Sequence, residues 1–425
     1  MNAVMIREKN ILVFSIMFVG VLLGDLLYVN ALGRNIYPIY YSAFFLLYLS
    51  GYMYLVLFSR QQPTFNQILL FFFVLKIYAF VLAMSNDLFV MLDEDAVRFH
   101  IPIALYEINS IGDVYNHLFS ASSVFNGRLT HVLIFINSHA LEFFGFNRFD
   151  VKNIVKAMFL FNFMLNVLTL YFVYKASYIY SKSILFARRS VFFLAFNPMF
   201  LYSAAAPKKE ALLMFALSIF LIFIVSNKKN YLFLVFSLVV VSFERIYMIP
   251  LLLGLVAYLS KSVKLFFVLV LGGLGFIESF IGVDTALGMW QNHVVSLTRM
   301  DGSYLGNNHG VFSNLLRTMF GPAFIRDFHA EYFNGRLLGF VSSMLMLMFG
   351  VVAVKSLSYT KGVLSIIFFT YLFVFLFIPF HSTFKLMMLS VFTVIFLDKI
   401  SFIKYCSLDS TNKSTIKKEC NSHKN

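Results

Sequence analysis

Three acids, an arginine and a histidine stand within one short run, Asp93-Glu94-Asp95-Ala96-Val97-Arg98-Phe99-His100, in a chain of which only 13% is charged. Carboxylates beside a histidine suit general acid/base chemistry, and the neighbouring cation suits a phosphorylated substrate. Further basic groups interrupt apolar sequence at Pro207-Lys208-Lys209-Glu210, at Glu244-Arg245 and at His381-Ser382-Thr383-Phe384-Lys385. Such cations hold phosphate or diphosphate, and an arginine's planar fork does so bidentately. Brought to one place, the two sets would put a carboxylate base opposite an anion-binding pocket.

The elements that must bring them together are membrane helices. A content of 60% hydrophobic residues, with 55 Phe in 425 positions, is too apolar for a soluble domain of this length. The expected fold is all-α and polytopic. Apolar runs near the roughly 20 residues that a bilayer crossing needs recur at 10–32, 37–58, 66–91, 157–180, 190–206, 211–226, 231–243, 246–260, 265–283, 337–354, 362–380 and 384–400, about twelve spans. Residues 1–400 thus form a single transmembrane domain. Residues 401–425 form a basic, disordered cytoplasmic tail.

Orientation follows from the basic loops, because short cytoplasmic loops are enriched in Lys and Arg. With the N-terminus in the cytoplasm, Arg60, Lys182 with Arg188 and Arg189, Lys228 with Lys229, Lys261 with Lys264, Lys355 with Lys361, and the Lys-rich tail all fall inside. The apolar run from Ile11 is then a retained first helix, since no small-residue cleavage site follows it. Leu129 to Phe146 is apolar enough to span but contains His131, Asn137 and His139, and counting it would move Arg188-Arg189 outside. It is expected as an amphipathic helix at the outer interface. Two long extracytoplasmic segments result, 92–156 and 284–336. The acidic cluster and the isolated basic groups all land on that same outer face.

Composition also excludes several classes. Cys406 and Cys420 both lie in the tail, so neither a disulfide framework nor a cysteine metal site is expected. The net charge of +14 reflects basic loops facing anionic lipid, and no basic groove with interleaved aromatics points to nucleic acid. A P-loop is absent, which agrees with a lipid-linked rather than a nucleotide donor.

Asp95-Ala96-Val97-Arg98-Phe99-His100 resembles the aspartate-alanine-x-x-aromatic-histidine pattern in the first extracytoplasmic loop of GT-C type membrane glycosyltransferases. Asp93-Glu94 resembles the acidic pair of that loop in protein mannosyltransferases, and Ile111-Gly112-Asp113-Val114-Tyr115 stands where relatives carry a glycine and an aromatic. The segment from Phe196-Asn197-Pro198 to Ala206-Pro207-Lys208-Lys209-Glu210-Ala211-Leu212 is similar to the Pro…Lys-Glu segment of bacterial O-antigen and capsule repeat-unit polymerases. Together these cover about half the chain. The Arg-Tyr found near the last helices of many relatives is missing, with Phe384-Lys385 the nearest equivalent, and no soluble domain is expected after the last span. A repeat-unit polymerase fits these departures better than a mannosyltransferase or oligosaccharyltransferase does.

The resemblance implies a glycosyltransferase of the bacterial inner membrane that acts at its outer face on an undecaprenyl-diphosphate-linked saccharide. In it Asp95 is the preferred base, sharing a helix face with Phe99 at i and i+4, with Asp93, Glu94 and His100 beside it. Arg98 pairs with Glu94. Lys208, Lys209, Arg245, His381 and Lys385 hold the diphosphate; Glu244-Arg245 is alternatively a self-neutralising pair. No cofactor is expected, although Asp93, Asp95 and a phosphate are oxygen ligands of the kind Mg²⁺ or Mn²⁺ takes. The partners implied are the lipid-linked oligosaccharide, membrane lipid and a chain-length regulator. Two alternatives stay open: a transferase adding one sugar from a polyprenyl monophosphate, and a polysaccharide flippase or secondary transporter, for which internal repeats and mid-span charges would be expected.

Overall fold

A computed structural model describes residues 64–85, 100–119, 127–195, 209–226 and 230–245, with isolated positions at 200 and between 249 and 275. The spans expected at 10–32, 37–58, 337–354, 362–380 and 384–400, the segment 284–336 and the tail lie outside the described residues. So do Asp93, Glu94, Asp95, Lys208, His381 and Lys385. Every regular element among the described residues is helical.

The elements run α1 Phe65–Ser85, a π-turn Ile103–Glu107, α2 Ile111–Phe119, α3 Arg128–Phe143, α4 Val151–Ser181, α5 Ile184–Ala195, α6 Lys209–Val225 and α7 Tyr231–Arg245. Helix α1 begins at a reciprocal cap in which the Thr64 amide donates to Gln67 Oε1 (2.9 Å) and the Gln67 amide donates to Thr64 Oγ1 (3.3 Å). It buries Ile68, Phe72 and Lys76, one turn apart, against α4 and α5. Lys76 donates from Nζ to the Phe200 carbonyl at 2.7 Å and lies over the Phe72 and Phe200 rings. A cation in an apolar interior needs such a partner.

The centre of the fold is α4, packed against α5 on one side and α6 on the other. The Asp150 side chain accepts the Lys152 amide and starts α4 six residues before the expected 157. It ends at Lys182, in the left-handed region at φ 56° with its amide bonded to the Tyr178 carbonyl. Among the described residues α4 is the one helix long and apolar enough to cross a bilayer. Its buried side carries Asn162, Asn166, Thr169, Ser177 and Ser181 among apolar residues such as Ile154, Met158, Leu165 and Val173, while Leu160, Met164, Leu168 and Tyr171 are exposed together with Lys152, Lys156 and Lys175.

Helices α6 and α7 form an antiparallel hairpin whose α6 packs along α4, with Leu165 among Ala211, Leu212, Ala216 and Val240. The register is set by Ser237 Oγ donating to the Ala216 carbonyl at 2.9 Å. Phe223 against Tyr231 and Phe215 against Phe236 agree with it. The span expected at 190–206 starts earlier, because Arg188 and Arg189 sit inside α5 and the connection shrinks to Lys182-Ser183. Helix α3, expected from Leu129 to Phe146, forms from Arg128 to Phe143, and its polar stripe is turned inward. Arg128, Thr130, His131 and Ser138 are buried with Ile134, and Ile136 and Phe143 are exposed.

Candidate functional site

The polar groups collect where α3 begins. Its N-cap is Gly127, at φ 86°, which has no side chain to offer the exposed amides of the first turn. A carboxylate from far along the chain does this instead. Glu244, the penultimate residue of α7 and fully buried, accepts the Thr130 amide at 2.7 Å and the Thr130 hydroxyl at 3.2 Å. A carboxylate at its own helix C-terminus meets an unfavourable dipole, and the N-terminus of α3 offsets it. The Glu244 carboxylate is thus committed to α3, a role the ion-pair alternative did not include.

Arg128, in the first turn of α3, reaches the other way. Its guanidinium donates to the Leu118 carbonyl at the C-terminus of α2, where a cation complements the dipole. Burial lowers its pKa to about 10, so it remains charged at neutral pH. Helix α2 is started by Ser110 and Asp113: Asp113 Oδ2 accepts the Ser110 hydroxyl (2.9 Å) and the Asn109 amide (3.1 Å), which holds this carboxyl below its usual range. Within the family-like Ile111–Tyr115 stretch, Tyr115 is exposed. A Cβ added at Gly112 would meet only ordinary contact with Ser110 Oγ, so no steric demand requires glycine there.

One turn into α3, His131 is fully buried and bonded at both ring nitrogens. Nε2 lies 2.7 Å from His100 Nδ1, and Nδ1 lies 2.9 Å from His117 Nε2. Three histidines from three segments form a continuous file. Burial holds the His117 pKa below the ordinary range, and the charge of Arg128 lowers it further. Among the described residues no cluster of His, Cys, Asp and Glu is arranged to take a metal ion.

The same end of the fold receives α6. Counting seven residues back from Ala216 and seven on from Ser237 sets Lys209 level with Glu244, so the first turn of α6 lies at the level of the last turn of α7. Glu210 is buried there, and Ala211 and Leu212 share a core with Leu129 and Leu133 of α3. Phe119 meets Phe243 edge to face at 5.6 Å, joining the ends of α2 and α7. Of the residues singled out from sequence, His100, Lys209 and Arg245 therefore belong to segments that meet at one end.

His117, His131, Arg128, Thr130 and the capping role of Glu244 are additions from the structure. His131 had been read only as a polar residue spoiling a span. The spacing Gly127, His131, Ile134, Ser138, one face of a helix, was the available signal that polar groups of this segment share a buried side. Nothing local links His117 or Glu244 to it, since they lie 14 and 114 residues from their partners. Comparison with protein-family models, with curated proteins and with solved structures finds no match to this chain.

Proposed function

We propose that this chain is a polytopic inner-membrane glycosyltransferase of about twelve spans that uses an undecaprenyl-diphosphate-linked saccharide at the outer face, polymerising O-antigen or capsule repeat units. The observation that carries this reading is convergence. His100 meets the start of α3, which is bonded to Glu244 beside Arg245 and packed against the first turn of α6 beside Lys209. His100, five residues after Asp95 in sequence, and two of the basic segments thus approach one end of the helix bundle, where a base facing a diphosphate would be needed. The exposed Leu160, Met164, Leu168 and Tyr171 of α4, with Asn162, Asn166 and Thr169 buried in its interface, favour a lipid surround.

In this mechanism the acceptor sugar hydroxyl gives its proton to Asp95, with Asp93 or Glu94 raising the affinity of that carboxylate for it. The oxygen attacks the anomeric carbon, and the bond to the diphosphate breaks as Lys208, Lys209, Arg245 and Lys385 stabilise the charge growing on the leaving group. His381 lies one turn from Lys385 in sequence and faces the same task. A single displacement inverts the anomeric carbon. Asp95→Asn should abolish chain extension in cells at unchanged protein level. Long-chain polysaccharide persisting in that variant would remove Asp95 from the mechanism.

A further inference from the structure

The histidine file has an internal logic beyond packing. A neutral imidazole carries one N–H and one lone pair. With both nitrogens of His131 in hydrogen bonds, the three rings therefore donate in one common direction, toward His117 or toward His100. A metal would need ring nitrogens about 2.0–2.1 Å from the ion, which nitrogens 2.7 and 2.9 Å apart leave no space to insert. The contacts are those of shared protons.

We propose that His100, His131 and His117 form a proton relay serving the hydroxyl-activating site. The source of the proton rests on the transferase reading; the relay itself does not. In the inward sense a proton arrives on Nε2 of His100 and the Nδ1 proton of His100 crosses to Nε2 of His131. The Nδ1 proton of His131 then crosses to Nε2 of His117, and His117 releases its own Nδ1 proton. One N–H bond forms and one breaks at each ring, so no net charge remains and the file ends in the opposite tautomer. Passage in the reverse direction resets it.

The surroundings favour passage over storage. Burial and the charge of Arg128 on α3 both disfavour a proton resting on His117; the neighbouring Tyr115 and Asn116 of the same helix are exposed. Among the described side chains, the other charged groups at this end are Glu244 on α7, held by Thr130, and the buried Glu210 on α6, and Lys209 and Arg245 stand next to them in sequence. Helix α4 turns its lysines, Lys152, Lys156 and Lys175, outward. On the side of the π-turn Glu107 is exposed, and Asp113 of α2 is bonded to Ser110.

The test uses the full chain in lipid nanodiscs, labelled with ¹⁵N-histidine and followed by NMR from about pH 8 to about pH 5. The wild type should show scalar coupling across both N–H···N bonds and coupled titration of the three rings. His131→Gln keeps one donor and one acceptor but cannot pass a proton, so it should uncouple His100 from His117. In a sugar-transfer assay on a lipid-linked saccharide, His131→Gln should lose about 100-fold or more in rate, and added imidazole should restore transfer to His131→Ala. Independent titration of the three rings in the wild type, transfer by His131→Gln at the wild-type rate, or failure of imidazole to act on His131→Ala would each overturn the relay. If the wild type itself transfers no sugar, the transferase reading fails and the ring titration alone decides the relay.

Discussion

Two buried polar regions of this molecule solve the same problem in opposite ways. At the start of α3 each polar group is matched by a partner from another helix: Glu244 with Thr130, Arg128 with Leu118, His131 with His100 and His117. Along α4 and α6 several buried hydroxyls turn back on their own helix, Thr169 to the Leu165 carbonyl, Ser181 to Ser177, Ser218 to Phe215. Asn166, in the same seam, is fully buried with neither side-chain oxygen nor nitrogen bonded. Local bonding satisfies a helix without specifying its neighbours. The long-range set at the α3 terminus specifies one assembly of four segments, which is what a site needs and a span does not.

That contrast is broken most directly at Glu244. Glu244→Ala leaves the first turn of α3 without its cap and should cost about 2–3 kcal/mol, read from thermal or denaturant unfolding in detergent. Glu244→Gln retains an acceptor and should cost less. If Glu244→Ala unfolds like the wild type, the long-range set is not what fastens α3 to α7. In the seam the opposite sign is expected. Asn166→Leu removes an unbonded buried amide while keeping the same branched shape and should be neutral or stabilise by about 1 kcal/mol. A loss of stability there would mean that Asn166 has work to do in the intact protein.

Acidification sharpens the same comparison. Because the folded state holds the His117 pKa below its unfolded value, the unfolded chain takes the proton first as pH falls. The stability that neutral His117 contributes is thus complete above about pH 6.5 and is lost as pH drops through its lowered folded value. Stability measured against pH should fall less steeply in His117→Asn than in the wild type; identical slopes would exclude His117 as the titrating group. The smallest effect belongs to the end of α4. Lys182 occupies the left-handed region, which Asn tolerates better, so Lys182→Asn should raise stability by about 0.5 kcal/mol or less without affecting transfer.

The sequence made the two regions unequally legible. Helices α1, α4, α6 and α7 were visible as apolar runs, since a long apolar helix needs little beyond composition to be seen. Their starts were less so: Asp150 capped α4 earlier than hydropathy indicates, and Arg188-Arg189, taken as a loop marker, lie within α5. The basic and acidic insertions drew attention to His100, Lys209 and Arg245 because charge is scarce in this chain. Glu244 and His117 carried no local mark of their partners, as a trans cap and a cross-segment imidazole bond depend on packing rather than spacing. The inward turn of α3 followed from that packing too: apolar periodicity gives a helix two faces but does not say which one the protein covers.

The central claim, that the acidic and basic segments form a transferase site, is tested most directly with purified full-length protein in nanodiscs and a polyprenyl-diphosphate-linked saccharide. The wild type should lengthen the glycan stepwise and release polyprenyl diphosphate, and Asp95→Asn should do neither. A wild-type protein that leaves the saccharide unchanged, or an Asp95→Asn variant that extends it normally, would contradict the account.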